Sequence, residues 1–288
     1  LARFTAVLFS VEPFKSRKDR FNVRGVFKPS QDSGLSAPSH GEHRNTAVSA
    51  SFDALGSERY VLTEDNKALR DVAAHVPYDS LVVMANHPRY GGGGIFNFYS
   101  TFTTDNQWSD YIFVHEFGHA FGGLADEYYS SSTAYNDFYP KGVEPSEPNI
   151  TAHPKSLKWQ DLVTAKTLAP TAWEKAEYDV FDAAYQKQRQ QVNAGIAALK
   201  KRRAPRVEID LEIDASEKLS AVNGKEVDAF LARSRFRGQV GAFLGAGYSS
   251  KGLYRPMLEC IMFNRGLRPF CKVCERALVQ AIDQLTKP

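Results

Sequence analysis

The sequence has no long hydrophobic run and no strong excess of charge of either sign. No stretch approaches the roughly 20 apolar residues that cross a bilayer as a helix, so we predict no membrane-spanning segment. The net charge is only +3, which gives no argument for nucleic-acid binding. The most basic cluster, residues 200–206, falls at the end of a predicted helix, where the helix dipole favours cations; an anionic-surface patch is the alternative.

Cysteine is also scarce, with three residues in a chain of 288, all of them near the C-terminus: Cys260, Cys271 and Cys274. Three clustered cysteines predict either one disulfide with a third thiol or a local metal clip. A disulfide would mildly favour an oxidising compartment. The chain begins at Leu1 without a methionine or a signal peptide, so we expect the natural N-terminus to lie upstream.

What is present suits a large globular domain, or a core domain with an insertion, because 43% of the residues are hydrophobic. In the first half, the alternation of Phe21, Val23 and Phe27 predicts a strand. A short helix is predicted over residues 68–76 and a buried strand over residues 79–87. Four glycines follow at residues 91–94, which indicate either a close approach of another backbone or a flexible turn.

A helix is predicted over residues 110–121, capped by Ser109 or Asp105 and ended by Gly122 and Gly123. Residues 171–203 predict a long amphipathic helix or helix pair. The segment "RVEIDLEIDA", residues 206–215, alternates perfectly and predicts a strand with one acidic, solvated face. Residues 240–256 are interpreted as a glycine-punctuated loop, and residues 271–287 as a final amphipathic helix.

The segment "VHEFGHAFGGLADEYY" carries the most specific chemical pattern. His115 and His119 lie four residues apart, so a helix places both imidazoles on one face, where they can bind one Zn²⁺ ion. Glu116 follows the first histidine and can reach a metal-bound water without binding the metal. It is therefore the candidate general base and acid. The alternative is a core helix with two hydrogen-bonded histidines.

A third ligand is needed, because a catalytic zinc usually has three protein ligands and one open position. In metzincins a glycine at the position of Gly122 breaks the helix, and a histidine three residues later binds the metal. That position here is Ala125, which cannot bind a metal. We therefore expect Asp126 to be the third ligand, with Glu127 as the alternative. The other histidines are expected at the surface, although a distant one could replace Asp126: His40, His43, His75, His87 and His153.

Several segments together resemble the peptidase M64 family, the IgA-peptidase type of zinc metallopeptidase. They are "HEFGHAFGGLADEY", "RYGGGGI", "FNV" with "PSQDSG", "GAGY" with "GLYRP", and "CIM" with "FCKVC". The resemblance extends from about Phe21 to Ala277 and is weakest over residues 171–235. Members look like metzincins, so the resemblance implies zinc ligands at His115, His119 and Asp126, with Glu116 as the catalytic acid and base.

The resemblance also implies roles for residues outside the helix. The glycine segment would form the upper rim of the active site and pair with substrate backbone. Met262 would be the Met-turn methionine, for which ordinary core packing is the alternative. Tyr254 or Arg255 could stabilise the oxyanion, unless both only pack the loop. Family members open with a central strand that this sequence lacks, so a piece of the fold is expected to be missing.

These interpretations predict an α/β (α+β) protein of the metzincin-like type with a helical insertion. Residues 1–170 would form the upper catalytic subdomain, 171–235 a helical and strand insertion, and 236–288 the lower subdomain with the Met-turn and the last helix. The predicted function is zinc-dependent hydrolysis of a protein or peptide by a bacterial enzyme that is secreted, periplasmic or on the cell surface. A glycan- or protein-binding module with a structural metal is one alternative, and a hydrolase of non-peptide amides is another.

Overall fold

The computed structural model describes residues 1–130 and 138–287. The chain divides into two compact units. The first comprises Leu1–Ala125 with Gly266–Pro288, and the second comprises Asp126–Arg265. Within the described residues, no helix combines the length and the apolar character that a membrane crossing requires.

Helices and small sheets alternate along the chain, which makes the fold a mixed α/β fold. The helices are α1 (Ala2–Leu8), α2 (Asn66–Ala73), α3 (Ser109–Gly122), α4 (Lys175–Lys201), α5 (Arg206–Ala232) and α6 (Lys272–Thr286). The strands are β1 (Val82–Ala85), β2 (Gly92–Ile95), β3 (Tyr99–Thr103), β4 (Phe243–Ala246) and β5 (Ser249–Arg255). Short 3₁₀ helices span Lys15–Arg20, Pro38–His40, Ala54–Gly56 and Gln160–Leu162.

The first unit is built on a three-stranded sheet in the order β1-β3-β2. Strand β1 runs parallel to β3, and β2 runs antiparallel to it. Every residue of the central strand β3 is buried. Helix α3 packs against β2 and β3, and α6 packs against α3. Aromatic side chains of α1, β3 and α3 fill the core, with the ring of Phe4 4.6 Å from that of Phe102.

The second unit contains a pair of long helices and a β-hairpin. Helices α4 and α5 pack together, and the stacked rings of Phe181 and Phe230 lie 6.1 Å apart. Strands β4 and β5 pair antiparallel, with Phe243 opposite Arg255. The indole of Trp159 is fully buried, and its N–H donates to the Gly241 carbonyl.

The strand predicted over residues 21–27 is wrong. These residues form no strand, and Val23 and Phe27 are exposed. Phe21 instead packs its ring on those of Phe14 and Phe121. The alternating pattern was misleading, because these residues do not pair with a strand. Of its apolar residues, only Phe21 packs on a buried ring, that of Phe14.

The strand predicted over residues 206–215 is also wrong, because these residues begin helix α5. Pro205 occupies the N-cap, and Arg206 pairs with Asp210 one turn later, with 2.8 Å between nitrogen and oxygen. Ile209 is buried whereas Leu211 is exposed, so the apolar residues do not share one face. There is consequently no acidic strand face.

Two other predictions need adjustment. Residues 240–256, which were predicted to form a loop because of their glycines, contain the β4–β5 hairpin. The strand predicted over residues 79–87 exists as β1, but it is only partly buried, and Met84 is exposed. The helices predicted over residues 68–76, 110–121, 171–203 and 271–287 correspond to α2, α3, α4 and α6.

Candidate metal centre

Helix α3 carries His115, Glu116 and His119 through the middle of the first unit. Nine of its 14 residues are buried, because it lies between the sheet and α6. Its N-cap is Trp108 rather than the predicted Ser109 or Asp105. Ser109 lies inside the helix, and its hydroxyl donates to the Asn106 carbonyl.

The helix ends where its glycines predicted. Gly123 has a φ of +60°, the left-handed conformation that glycine adopts without steric cost. Its N–H donates to the His119 carbonyl, and the Leu124 N–H donates back to Gly118. The bond from Gly123, whose φ is positive, is the five-to-one closure of the αL motif. The chain turns here so that the carbonyl of Leu124 lies next to the side chain of His119, in the last turn of the helix.

That carbonyl selects the tautomer of the neutral His119 imidazole. The Nδ1 atom of His119 lies 2.6 Å from the Leu124 oxygen, and a carbonyl can only accept a hydrogen bond. Nδ1 therefore carries the proton of the neutral imidazole, and Nε2 presents its lone pair. Metal-binding histidines commonly have this arrangement, because the hydrogen bond orients the ring and makes the ligand nitrogen more basic.

The two histidines converge on one point. His119 Nε2 lies 3.1 Å from His115 Nε2. Two nitrogens that are each 2.0–2.1 Å from a tetrahedral zinc ion would be about 3.3 Å apart. Because the lone pair of His119 faces the other ring, the contact is favourable only with a cation or a proton between the nitrogens. The separation fits a shared metal ion, and it also fits the alternative of two hydrogen-bonded histidines.

Two of the four glycines, Gly92 and Gly94, let strand β2 lie directly on helix α3. A side chain at Gly94 would collide with the Glu116 carbonyl oxygen, and its Cβ would be 2.8 Å from that of His119. A Cβ at Gly92 would be 2.6 Å from Ile112 and 3.0 Å from Glu116 Cγ. The close approach of another backbone, rather than a flexible turn, thus explains the glycines of this strand.

In the second unit, Asp126 is buried and receives two phenolic hydrogen bonds. Its Oδ2 accepts from the Tyr128 hydroxyl at 2.8 Å and from the Tyr248 hydroxyl. Its carbonyl accepts the N–H of Gly247 at 3.0 Å. The sequence reasoning did not identify either tyrosine. Tyr128 is visible only as a neighbour of Asp126, and Tyr248 lies 122 residues away from it.

Glu127, the alternative third ligand, is fully buried in the same unit. Its Oε1 accepts from the side-chain amide of Asn149 at 3.1 Å, and its N–H donates to the Met262 carbonyl at 2.8 Å. Met262 is fully buried, which both the Met-turn and the core-packing interpretation predict. The backbone of Glu127 is therefore tied to the turn that contains Met262.

Tyr254 and Arg255 end strand β5. The Tyr254 backbone pairs with that of Thr151. Arg255 is fully buried, with its guanidinium 4.0 Å from the ring centre of Phe263 and its Nη1 donating to the Gly245 carbonyl at 2.6 Å. Burial lowers the pKa of Arg255 from its ordinary value. These contacts of Arg255 are those of a residue that packs the hairpin, which was the alternative to a catalytic role. A catalytic role of Tyr254 stays a prediction.

Side chains that could bind a metal ion occur in both units, and all of them are buried except His119, which is partly buried. They are His115, His119, Cys271 and Cys274 in the first unit, and Asp126, Glu127 and Cys260 in the second. Among the described residues no disulfide joins the three buried cysteines, so of the two interpretations of their clustering only the metal clip stays a prediction. Cys271 is the N-cap of α6, and its Sγ accepts the N–H of Cys274 at 3.4 Å.

The sequence model of the family described as IgA Peptidase M64 matches residues 2–282. No curated protein matches the chain. Membership of a peptidase family implies a hydrolase whose substrate is a protein or a peptide. The match spans almost the whole chain and includes the segment of the two histidines. This chain therefore belongs to the IgA Peptidase M64 family.

Proposed function

We propose that the protein is a metzincin-like, zinc-dependent peptidase whose metal ligands are His115, His119 and Asp126. The observation that carries the proposal is the 3.1 Å separation of the two Nε2 atoms, together with the hydrogen bond that leaves the lone pair on Nε2 of His119. The family assignment supports peptide hydrolysis.

The donor types favour zinc. Two imidazole nitrogens and one carboxylate suit a borderline metal better than Mg²⁺ or Ca²⁺, which prefer oxygen ligands alone. Three protein ligands with one open position are typical of a catalytic rather than a structural zinc site. When bound, zinc would polarise the scissile carbonyl and lower the pKa of a water molecule.

Glu116 is the proposed proton carrier. It follows His115 on α3 and is only partly buried. Its carboxylate would take a proton from the attacking water and later give it to the leaving amine. No other role in the chemistry is assigned to it, so its replacement should stop the reaction without removing the metal.

Strand β2 is the proposed rim for an extended substrate. It is an edge strand, but Gly92 already exchanges hydrogen bonds with Arg59 and Val61 on its outer side. Alternate residues of a strand point their main-chain N–H and C=O groups in the same direction. Those of Gly94 therefore point to the same outer side as those of Gly92, further along the strand. We propose that substrate backbone pairs at Gly94.

Two expectations from the sequence bear on this proposal. The binding-module alternative would use an acidic strand face and the insertion of residues 171–235 as its binding elements, but residues 206–215 are helical and form no strand face. A secreted, periplasmic or cell-surface location stays a prediction of the resemblance, as does a bacterial source.

The test measures metal and activity separately. The purified protein should contain one zinc ion per chain and cleave members of a peptide library, and a chelator should abolish cleavage reversibly. Asp126→Ala should weaken zinc binding by more than the about 10- to 100-fold typical of changing a residue that orients a ligand. Glu127→Ala, the matched carboxylate, should weaken it less. Unchanged zinc binding in Asp126→Ala would remove this residue from the ligand set, and chelator-resistant cleavage would refute the zinc mechanism.

A further inference from the structure

The carboxylate of Asp126 has one oxygen that is held by two tyrosines. The hydroxyls of Tyr128 and Tyr248 both donate to Oδ2, and their rings meet edge to face with centres 5.4 Å apart. A carboxylate oxygen has two lone pairs, so two donors occupy Oδ2. Donation by both hydroxyls to the same oxygen fixes the rotation of the carboxyl group.

Tyr248 reaches this oxygen from a strained turn. Strands β4 and β5 are joined by Gly247 and Tyr248, with φ values of +55° and +63°. Positive φ at both central residues is the type I′ geometry, for which asparagine and glycine are preferred. A tyrosine in this conformation costs about 1–2 kcal/mol. Strain of this kind persists where the surroundings enforce it, and it is often associated with function.

Hydrogen bonds and packing contacts around the turn stabilise its conformation. The N–H groups of Gly247 and Tyr248 donate to the carbonyls of Asp126 and Tyr128, both at 3.0 Å. The ring of Tyr139 lies against Gly247, where a Cβ would be only 2.8 Å from it. Below the turn, the buried guanidinium of Arg255 donates to the Gly245 carbonyl. The turn is therefore attached to residues 126–128 by its backbone as well as by the Tyr248 hydroxyl.

We propose that Tyr128 and Tyr248 are positioning residues that hold Oδ2 of Asp126, so that Oδ1 is the oxygen that binds the metal. The inference rests on the proposed role of Asp126 as the third ligand. It explains why an aromatic residue occupies a turn position where asparagine or glycine would be unstrained. It also makes the β4–β5 hairpin, rather than α3 alone, a determinant of metal affinity.

The test compares tyrosine-to-phenylalanine variants, which remove a hydroxyl and keep the ring. Zinc affinity of Tyr128→Phe and Tyr248→Phe is measured by competition with a chelator. Each should bind zinc about 10- to 100-fold more weakly than the parent protein, as is usual when a residue that orients a ligand is changed. Thermal unfolding of the metal-free proteins should shift little, which separates positioning from a general structural role.

Two controls make the result specific. Tyr139→Phe removes a neighbouring hydroxyl that donates to Glu147 at 2.9 Å, and it should retain the zinc affinity of the parent. In an Asp126→Ala background, Tyr248→Phe should have no further effect on zinc affinity. An additive loss in that background would show that the tyrosine acts through something other than Asp126, which would overturn the inference.

The remaining outcomes distinguish the two proposals. If Asp126→Ala weakens zinc binding but both phenylalanine variants bind like the parent, positioning by the tyrosines is wrong and the proposed ligand set stands. If Asp126→Ala binds zinc like the parent, the third ligand and the positioning both fall. A loss in both phenylalanine variants, with a larger loss in Asp126→Ala, supports both.

Discussion

Helices α3 and α5 are both rich in apolar residues, but their surroundings differ sharply. Nine of 14 residues of α3 are buried, whereas only four of 27 are buried in α5. Strand β2 lies on α3 so closely that glycine is required there. By contrast, a Cβ added at Gly224, the glycine of α5, would meet no other atom within 4 Å. The chemistry is thus proposed on the more confined helix.

This difference separates two kinds of constraint. On α3, neighbouring residues determine where the side chains lie, how much space they have and which tautomer His119 adopts. Small changes there should therefore affect both stability and metal binding. On α5, most side chains face solvent, and single substitutions of those side chains should have little effect. Matched substitutions on the two helices test this contrast.

The largest effect is expected for the glutamates. Glu116→Gln should reduce peptide hydrolysis by about 10²- to 10⁴-fold, because a general base is lost, while zinc stays bound. Glu212→Gln, on an exposed turn of α5, should leave the rate unchanged. The measurements are initial rates and zinc content of the purified variants. A Glu116→Gln enzyme that cleaves at the parent rate would contradict the proposed mechanism.

Glycine-to-alanine substitutions should change stability in opposite directions in strand β2, which lies on α3, and in α5. Gly94→Ala places a methyl group against the Glu116 carbonyl and His119, and such overpacking typically costs about 1–3 kcal/mol. Gly224→Ala should instead stabilise by about 0.5–1 kcal/mol, because alanine suits a helix interior better. Urea unfolding of the metal-free variants gives both values. Equal effects would mean that β2 does not lie on α3 as described.

Alanine substitutions in α5 distinguish the helix from the predicted strand. Ile209 is 8% exposed and Leu211 is 64% exposed. Ile209→Ala should cost about 2 kcal/mol or more, and Leu211→Ala less than about 0.5 kcal/mol. A strand would place both side chains on one face and make their costs similar. Similar losses in urea unfolding would therefore favour the strand.

The sequence identified the parts of the site that depend on local rules. The spacing of His115 and His119 and the glycines after them are sufficient to predict α3 and its end. The prediction for residues 206–215 was wrong because alternating charged and apolar residues are compatible both with a half-buried strand and with a solvent-exposed helix. Tyr248 could not be found, because its contact with Asp126 depends on tertiary structure 122 residues away.

The smallest effect is expected from a buried carboxylate on the helix that packs against α5. Burial raises the pKa of Asp182 from its ordinary value, although hydrogen bonds from Ser130 and Gln186 oppose the shift. A raised folded-state pKa favours the protonated form. The stability that Asp182 contributes is therefore complete below its unfolded pKa of about 3.9 and is lost as pH rises through the folded value.

Asp182→Asn removes this dependence, because asparagine does not ionise. Relative to the parent, the variant should gain stability as pH rises from about 3.9 through the raised pKa, and the gain should then stay constant. Urea unfolding of both metal-free proteins across this range measures it. A gain that is the same at every pH would show that Asp182 titrates normally, and that the α4–α5 pair is as open to solvent at this position as it is along most of α5.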